Sequence, residues 1–182
     1  MLLDPNFLLI QSLNGLQLSA LLFLLAVGLS VLLGLMNFIN LAHGTFFMVG
    51  AYLGVSLVHI LGSFWMALLV APIGVALLGA IIYIMLLRHI EPTDPMKQVL
   101  VTFGLIFVGS ETVQIIWGSL PLIIEVPTIF DGQTLIIGQV YPTYRIFIIF
   151  LGIVIFIALY IGLERTRIGA IIRAGVDNNL MI

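Results

Sequence analysis

Cysteine is absent from this chain, and charge is nearly so: Asp, Glu, Lys and Arg make up 8% of its 182 residues. Without cysteine there is no disulfide, no thiol nucleophile and no cysteine-built zinc site. Six basic residues cannot build the positive surface that nucleic acid requires, and a net charge of −2 argues for no partner of either sign. No G-x-x-x-x-G-K-S/T element occurs, so the chain has no P-loop for nucleotide. The few polar residues assemble no nucleophile, base and orienting group, and no second ligand stands at metal spacing from His43. The reading is therefore of a non-enzyme that carries no metal or cofactor.

What fills the chain instead is hydrophobic residues, at 62%. A globular domain is about a quarter charged, so this composition points to an integral membrane protein. Its apolar runs are continuous and rich in Leu and Ile, without the alternation of barrel strands. The fold class expected is all-α with about five transmembrane helices. The N-terminus MLLDPNFLLI lacks the basic region of a secretory signal, and the apolar run that follows is too long for one, so it reads as a retained first span.

The spans fall at 7–33, from the centre of the next stretch to about Leu61, from 63–66 to Leu87, at 98–117 and at 144–163. Gln11, Ser12, Asn14 and Gln17 interrupt the first, and Pro72 lies inside the third, where membrane helices tolerate it. Arg88, His89, Glu91, Pro92, Thr93, Asp94, Pro95 and Lys97 form a loop that cannot stay in lipid. A longer connection, 118–143, holds Pro121, Pro127, Gly132, Gly138 and Pro142. The 88–97 loop and the 164–182 tail carry Arg88, Lys97, Arg165, Arg167 and Arg173. Two spans separate them, so both lie on the cytoplasmic side, with the 118–143 connection and the N-terminus outside.

The stretch GLMNFINLAHGTFFMVGAYLG, residues 34–54, stands out. Asn37, Asn40 and His43 recur at three-residue intervals between long apolar runs, and in a helix that spacing keeps them near one face. Buried amides in hydrocarbon need partners. One reading gives them interhelical hydrogen bonds and the capping of a helix that starts near Gly44. The other makes Asn37, Asn40, His43, Gly44 and Thr45 the lining of a solute path near the membrane midplane, with a half-helix N-terminus facing a solute carboxylate. Gly50 and Gly54 form a GxxxG pair that lets two helix backbones approach. His59 and His89 read as interface residues.

Two further places carry polar chemistry. Glu111 is the acid inside the fourth span, beside Ser110, Thr112 and Gln114. Intramembrane carboxylates are functional candidates by default, and a proton-coupling role here competes with simple contact with headgroups or water. In the tail, Arg165, Arg167 and Arg173 are interleaved with Ile168, Ala170, Ile171, Ile172 and Ala174, which makes a short amphipathic helix ending near Gly175. Such a helix either anchors at an anionic leaflet or docks in a partner's groove.

The central stretch, with Asn40, Leu41, Ala42, His43 and Gly44 in the place of an N-F-A-H-G element, resembles permease subunits of the branched-chain amino-acid ABC importers. Leu41 is a departure from that element. EPTDPMKQVLVTFGLIF resembles the family's Pro-rich entry to a later helix. ERTRIGAIIRAGVDNN resembles its cytoplasmic segment that contacts the ATPase. The resemblance implies a single transmembrane permease domain over 1–182, the N-terminal part of a longer permease, cut short at its C-terminus. It implies an ATP-driven importer in the cell inner membrane for branched-chain amino acids or a related small polar solute. The implied partners are a second permease subunit, two cytoplasmic ATP-binding subunits, an extracytoplasmic solute-binding protein and membrane lipid. Arg165, Thr166, Arg167, Gly169, Arg173 and Ala174 would form the ATPase-coupling segment. The alternatives are an ion- or proton-coupled carrier or channel centred on Glu111 and His43, and an inactive permease fragment.

Overall fold

Most large aliphatic side chains are exposed in this protein, and small and polar residues are prominent among the buried ones. Ile115 is 82% exposed, whereas Ala67, Ala71, Thr102 and Gln98 are buried. A lipid-facing surface explains the inversion: where the solvent is hydrocarbon, helices associate through close packing of small residues and through hydrogen bonds. A computed structural model describes residues 5–36, 38–90, 94–122, 127–167 and 169–170. Asn37, Glu91, Pro92, Thr93, Arg173 and Ala174, named above, lie outside the described residues.

The helices are α1 (Pro5–Met36), α2 (His43–Leu61), α3 (Phe64–Met85), α4 (Pro95–Trp117) and α5 (Thr143–Arg165). Five helices are thus long and apolar enough to cross a membrane, at the positions the apolar runs predict. A 3-10 turn, Leu87–His89, follows α3. The chain divides into two compact units, residues 31–125 and residues 1–30 with 126–182.

In the 31–125 unit, α2 and α3 form an antiparallel hairpin. Gly62 takes the left-handed conformation (φ 64°) and closes α2 by donating its N–H to the Val58 carbonyl at 2.9 Å. The next residue, Ser63, opens α3 by accepting the Met66 N–H on its hydroxyl oxygen. The GxxxG pair sits in the seam between the two helices. A Cβ on Gly50 would lie 3.4 Å from Val75 Cγ2, and one on Gly54 would lie 4.0 Å from Ala71 Cβ. Pro72 stays inside α3, which continues through it.

On its other side α2 meets α4, running parallel to it. A Cβ on Gly109 would overlap the Thr45 side chain. Further along, the Trp117 indole N–H donates to Ser56 Oγ at 2.6 Å, and its ring lies 5.5 Å from that of Tyr52. Helix α4 opens as a sequence of its kind should, with Pro95 in its first turn and Asp94 Oδ1 accepting the Lys97 N–H at 3.2 Å. The end of α3, followed by Arg88, therefore lies beside the start of α2, whose Thr45 is level with Gly109 in the middle of α4.

In the other unit, α1 and α5 run parallel. Gly152 is buried against Ala20, where a Cβ would sit 2.9 Å from the alanine's own, and Phe23 meets Phe156 edge-on at 5.7 Å. The 118–143 connection holds what composition did not announce: an antiparallel hairpin of β1 (Gln133–Ile136) and β2 (Gln139–Pro142), in register Gln133 with Pro142 through Ile136 with Gln139. Its two-residue turn places Ile137 (φ 51°) and Gly138 (φ 78°) at positive φ, the requirement of a type I′ hairpin turn. Tyr141 of β2 is buried, and its hydroxyl donates to Asn14 Oδ1 at 3.3 Å. The same oxygen accepts from Arg145 at 2.9 Å. This gives Asn14 a partner and accounts for the one basic residue outside the two basic segments.

Candidate functional site

The polar stretch before α2 is not helical. Residues 38–42 form an extended and turning segment, so Asn40 and His43 are not successive positions on a helix face. Asn40 instead folds the chain into the helix start. Its side-chain oxygen accepts the Ala42 N–H at 3.0 Å, and its backbone carbonyl accepts the His43 N–H at 3.4 Å. The predicted capping of α2 by an Asn side chain is absent. The N-cap position is held by Ala42, which makes no side-chain cap bond.

His43 is the first residue of a 19-residue helix, about 28 Å long at 1.5 Å per residue and so nearly as long as the hydrocarbon layer is thick. The start of this helix, after the break at 38–42, lies beside the end of α3, which shares a cavity with it, and it is level with the middle of α4, because Thr45 packs on Gly109.

An unpaired backbone donor in such a break is costly in an apolar setting, and α4 meets one. The Ile39 N–H donates to Gln98 Oε1 at 3.0 Å. Gln98 is 1% exposed, and its carbonyl accepts the hydroxyl of the fully buried Thr102 at 2.7 Å. Gln98 was legible only as the first residue of an apolar span. A buried glutamine in a helix's first turn, beside a neighbouring backbone break, is the signal that could have marked it.

Asn40 and His43 both line a cavity of about 550 Å³ between the end of α1, the start of α2 and the end of α3. Tyr83 and Arg88 supply its other polar groups, and its walls include Leu32, Phe38, Phe46, Val75, Leu87 and Ile90. Gly44 and Thr45, also assigned to the solute path, are not among its lining residues. Thr45 packs on Gly109, and Gly44 is exposed.

Glu111 stands apart from this cavity. It lies two residues beyond Gly109, about 200° round α4 from the face that meets α2, and it is exposed. The structure does not bring Glu111 and His43 together. Among the described residues no group of three His, Asp or Glu side chains is placed to hold a metal.

The segment after α5 forms a corner. Thr166 has extended backbone (φ −106°, ψ 159°) and ends the helix. Its hydroxyl donates back to the Gly162 carbonyl and accepts the Gly169 N–H at 3.1 Å. The Ala170 N–H reaches the Thr166 carbonyl at 3.1 Å. One threonine thus closes α5 and caps a new helical turn that contains residues 167, 169 and 170. Gly169 is buried directly over the end of α5, where any Cβ would collide with the Leu163 and Gly162 carbonyls. Arg165 and Arg167 flank the corner and are exposed. Physical roles for Thr166 and Gly169 emerge here that residue type alone did not assign.

Compared with protein families, residues 11–182 match the family described as branched-chain amino acid transport system, permease component. Comparison with curated proteins and with solved structures returned no match.

Proposed function

The chain belongs to the permease-component family of branched-chain amino acid transport systems, and from that premise we propose that it is a transmembrane subunit of an ATP-driven importer. The solute is a branched-chain amino acid or a related small polar molecule, and the setting is the cell inner membrane. The complex comprises a second permease subunit, two cytoplasmic ATP-binding subunits and an extracytoplasmic solute-binding protein. The family match over residues 11–182 carries this reading, and the five spans support it.

Energy has to reach such a permease from outside its own sequence, since the chain has no P-loop. The Thr166 corner suits that purpose. A helical turn fixed to the end of α5 by two hydroxyl hydrogen bonds and a glycine contact transmits a push into the span, where a flexible tail would absorb it. Arg165, Thr166, Arg167 and Gly169 are the proposed coupling residues. Arg165 and Arg167 meet the ATP-binding subunit, while Thr166 and Gly169 hold the turn.

Co-purification of the tagged chain with its ATP-binding subunits tests this reading, using Arg165→Ala with Arg167→Ala as the variant. The expected outcome is co-elution with the wild type and a clear loss with the variant. A folded wild-type chain that retains neither ATP-binding subunit would overturn it.

A further inference from the structure

The 550 Å³ cavity has a one-sided chemistry. Asn40 lines it while being 8% exposed. Its oxygen is engaged by the Ala42 N–H, and its side-chain N–H groups have no partner among the described residues. Arg88 likewise has no hydrogen bond or ion pair among the described residues, and it lines the same cavity. Gly44 and Thr45, in the first turn of α2, place backbone N–H groups at this end with the positive end of the helix dipole. None of the described lining residues is acidic.

Asn40 and Arg88 share a cavity whose apolar walls include Leu32, Phe46 and Val75. The matching ligand has an anionic, acceptor-rich head and an apolar body. A zwitterionic amino acid fits poorly, because no acidic side chain among the described lining residues would receive its ammonium group. The level is also informative. Arg88, one of the lining residues, follows the end of α3, on the side that the distribution of basic residues assigns to the cytoplasmic leaflet. Phospholipid phosphates sit at that depth, and basic pockets between helices hold anionic headgroups there.

We propose that this cavity seats an anionic phospholipid of the inner leaflet, with its phosphate on Arg88 and the Asn40 amide and an acyl chain along Phe46 and Val75. The proposal does not depend on the importer reading. It assigns Asn40 and His43 to lipid binding rather than to the solute path.

The test is lipid retention by the purified full chain, delipidated and re-equilibrated with equal phosphatidylglycerol and phosphatidylcholine, with bound lipid measured by mass spectrometry. Phosphatidylglycerol should be retained preferentially. Arg88→Gln should lower that preference about fivefold, the worth of one basic side chain at an anionic surface. Arg88→Lys should restore most of it, and Asn40→Leu should lower it without changing phosphatidylcholine. Arg167→Gln, on the other unit, should leave it unchanged.

Inorganic phosphate at millimolar concentration should not displace the lipid. Displacement would identify a free-anion site and overturn the proposal. So would equal retention of the two lipids, or an unchanged preference in a folded Arg88→Gln chain. Loss of solute uptake in Arg88→Gln with lipid preference intact would assign the cavity to the transport path instead.

Discussion

Gln98 on α4 accepts the Ile39 N–H at 3.0 Å, across 59 residues of sequence. This single bond ties the non-helical entry of α2 to the start of α4. Gln98→Leu removes the acceptor and leaves a part-buried backbone donor unpaired, at a cost of about 1–3 kcal/mol. Thermal unfolding of the detergent-purified chain should show a lowered midpoint for Gln98→Leu and a smaller change for Gln98→Glu, which keeps an acceptor. A wild-type midpoint for the leucine variant would show that the bond is not needed.

Gly169 is the position at the Thr166 corner where no side chain fits. Gly169→Ala must push the turn away from the Leu163 carbonyl, and Thr166→Val removes both hydroxyl hydrogen bonds while keeping the shape. Each should leave the spans folded while uncoupling the turn from α5. Loss of a capping hydroxyl costs about 1 kcal/mol, so proteolysis after Arg165 or Arg167 should accelerate severalfold in Thr166→Val and more in Gly169→Ala. Unchanged cleavage rates in both would remove the corner's claim to rigidity.

Ile137 stands at φ 51° in the turn between β1 and β2. A β-branched residue in that region carries a strain of about 1–2 kcal/mol, and Asn is among the residues type I′ turns favour. Ile137→Asn should slow hydrogen exchange of the hairpin amides by roughly five- to tenfold if about 1 kcal/mol of that strain is relieved. Faster exchange would mean that the exposed isoleucine contributes contacts worth more than its backbone costs.

Asp94 caps α4, and the Lys97 backbone N–H, followed by the Lys97 side chain 3.2 Å away, holds its carboxyl below the ordinary range. A carboxylate with a lowered folded pKa contributes stability above its unfolded pKa and loses it as pH falls through the folded value. Asp94→Asn keeps a capping oxygen but removes the charge. The variant should be less stable than wild type at neutral pH, and the gap should close as pH falls below about 4, the ordinary carboxylate range. A gap constant down to pH 2 would assign the effect to something other than ionisation.

Helix positions were legible because a run of some twenty apolar residues has few alternatives. The boundaries also carry local chemistry: Gly62 and Ser63 mark one turn, and Asp94 and Pro95 mark a start. The β1–β2 hairpin was not legible. Its turn reads Ile-Gly rather than Asn-Gly, and its strands are only four residues each. Asn40 and His43 were legible as polar residues in an apolar context, and the structure does gather them in one cavity. Their three-residue spacing suggests one helix face, whereas the backbone at 38–42 is not helical. The partner of that break, Gln98, lies 59 residues away, and nothing local to either residue points to the other. Arg88 belongs to the same cavity for a similar reason: the antiparallel α2–α3 hairpin carries the end of α3 back to the start of α2.

Solute uptake into proteoliposomes tests the central claim most directly. The chain is reconstituted with its second permease subunit, both ATP-binding subunits and the solute-binding protein, and leucine entry is followed with either ATP or an imposed proton gradient as the energy source. The account predicts uptake with ATP and none with the gradient alone, in wild type and in Glu111→Gln alike. Gradient-driven uptake without ATP, abolished by Glu111→Gln, would contradict it and make the protein an ion-coupled carrier.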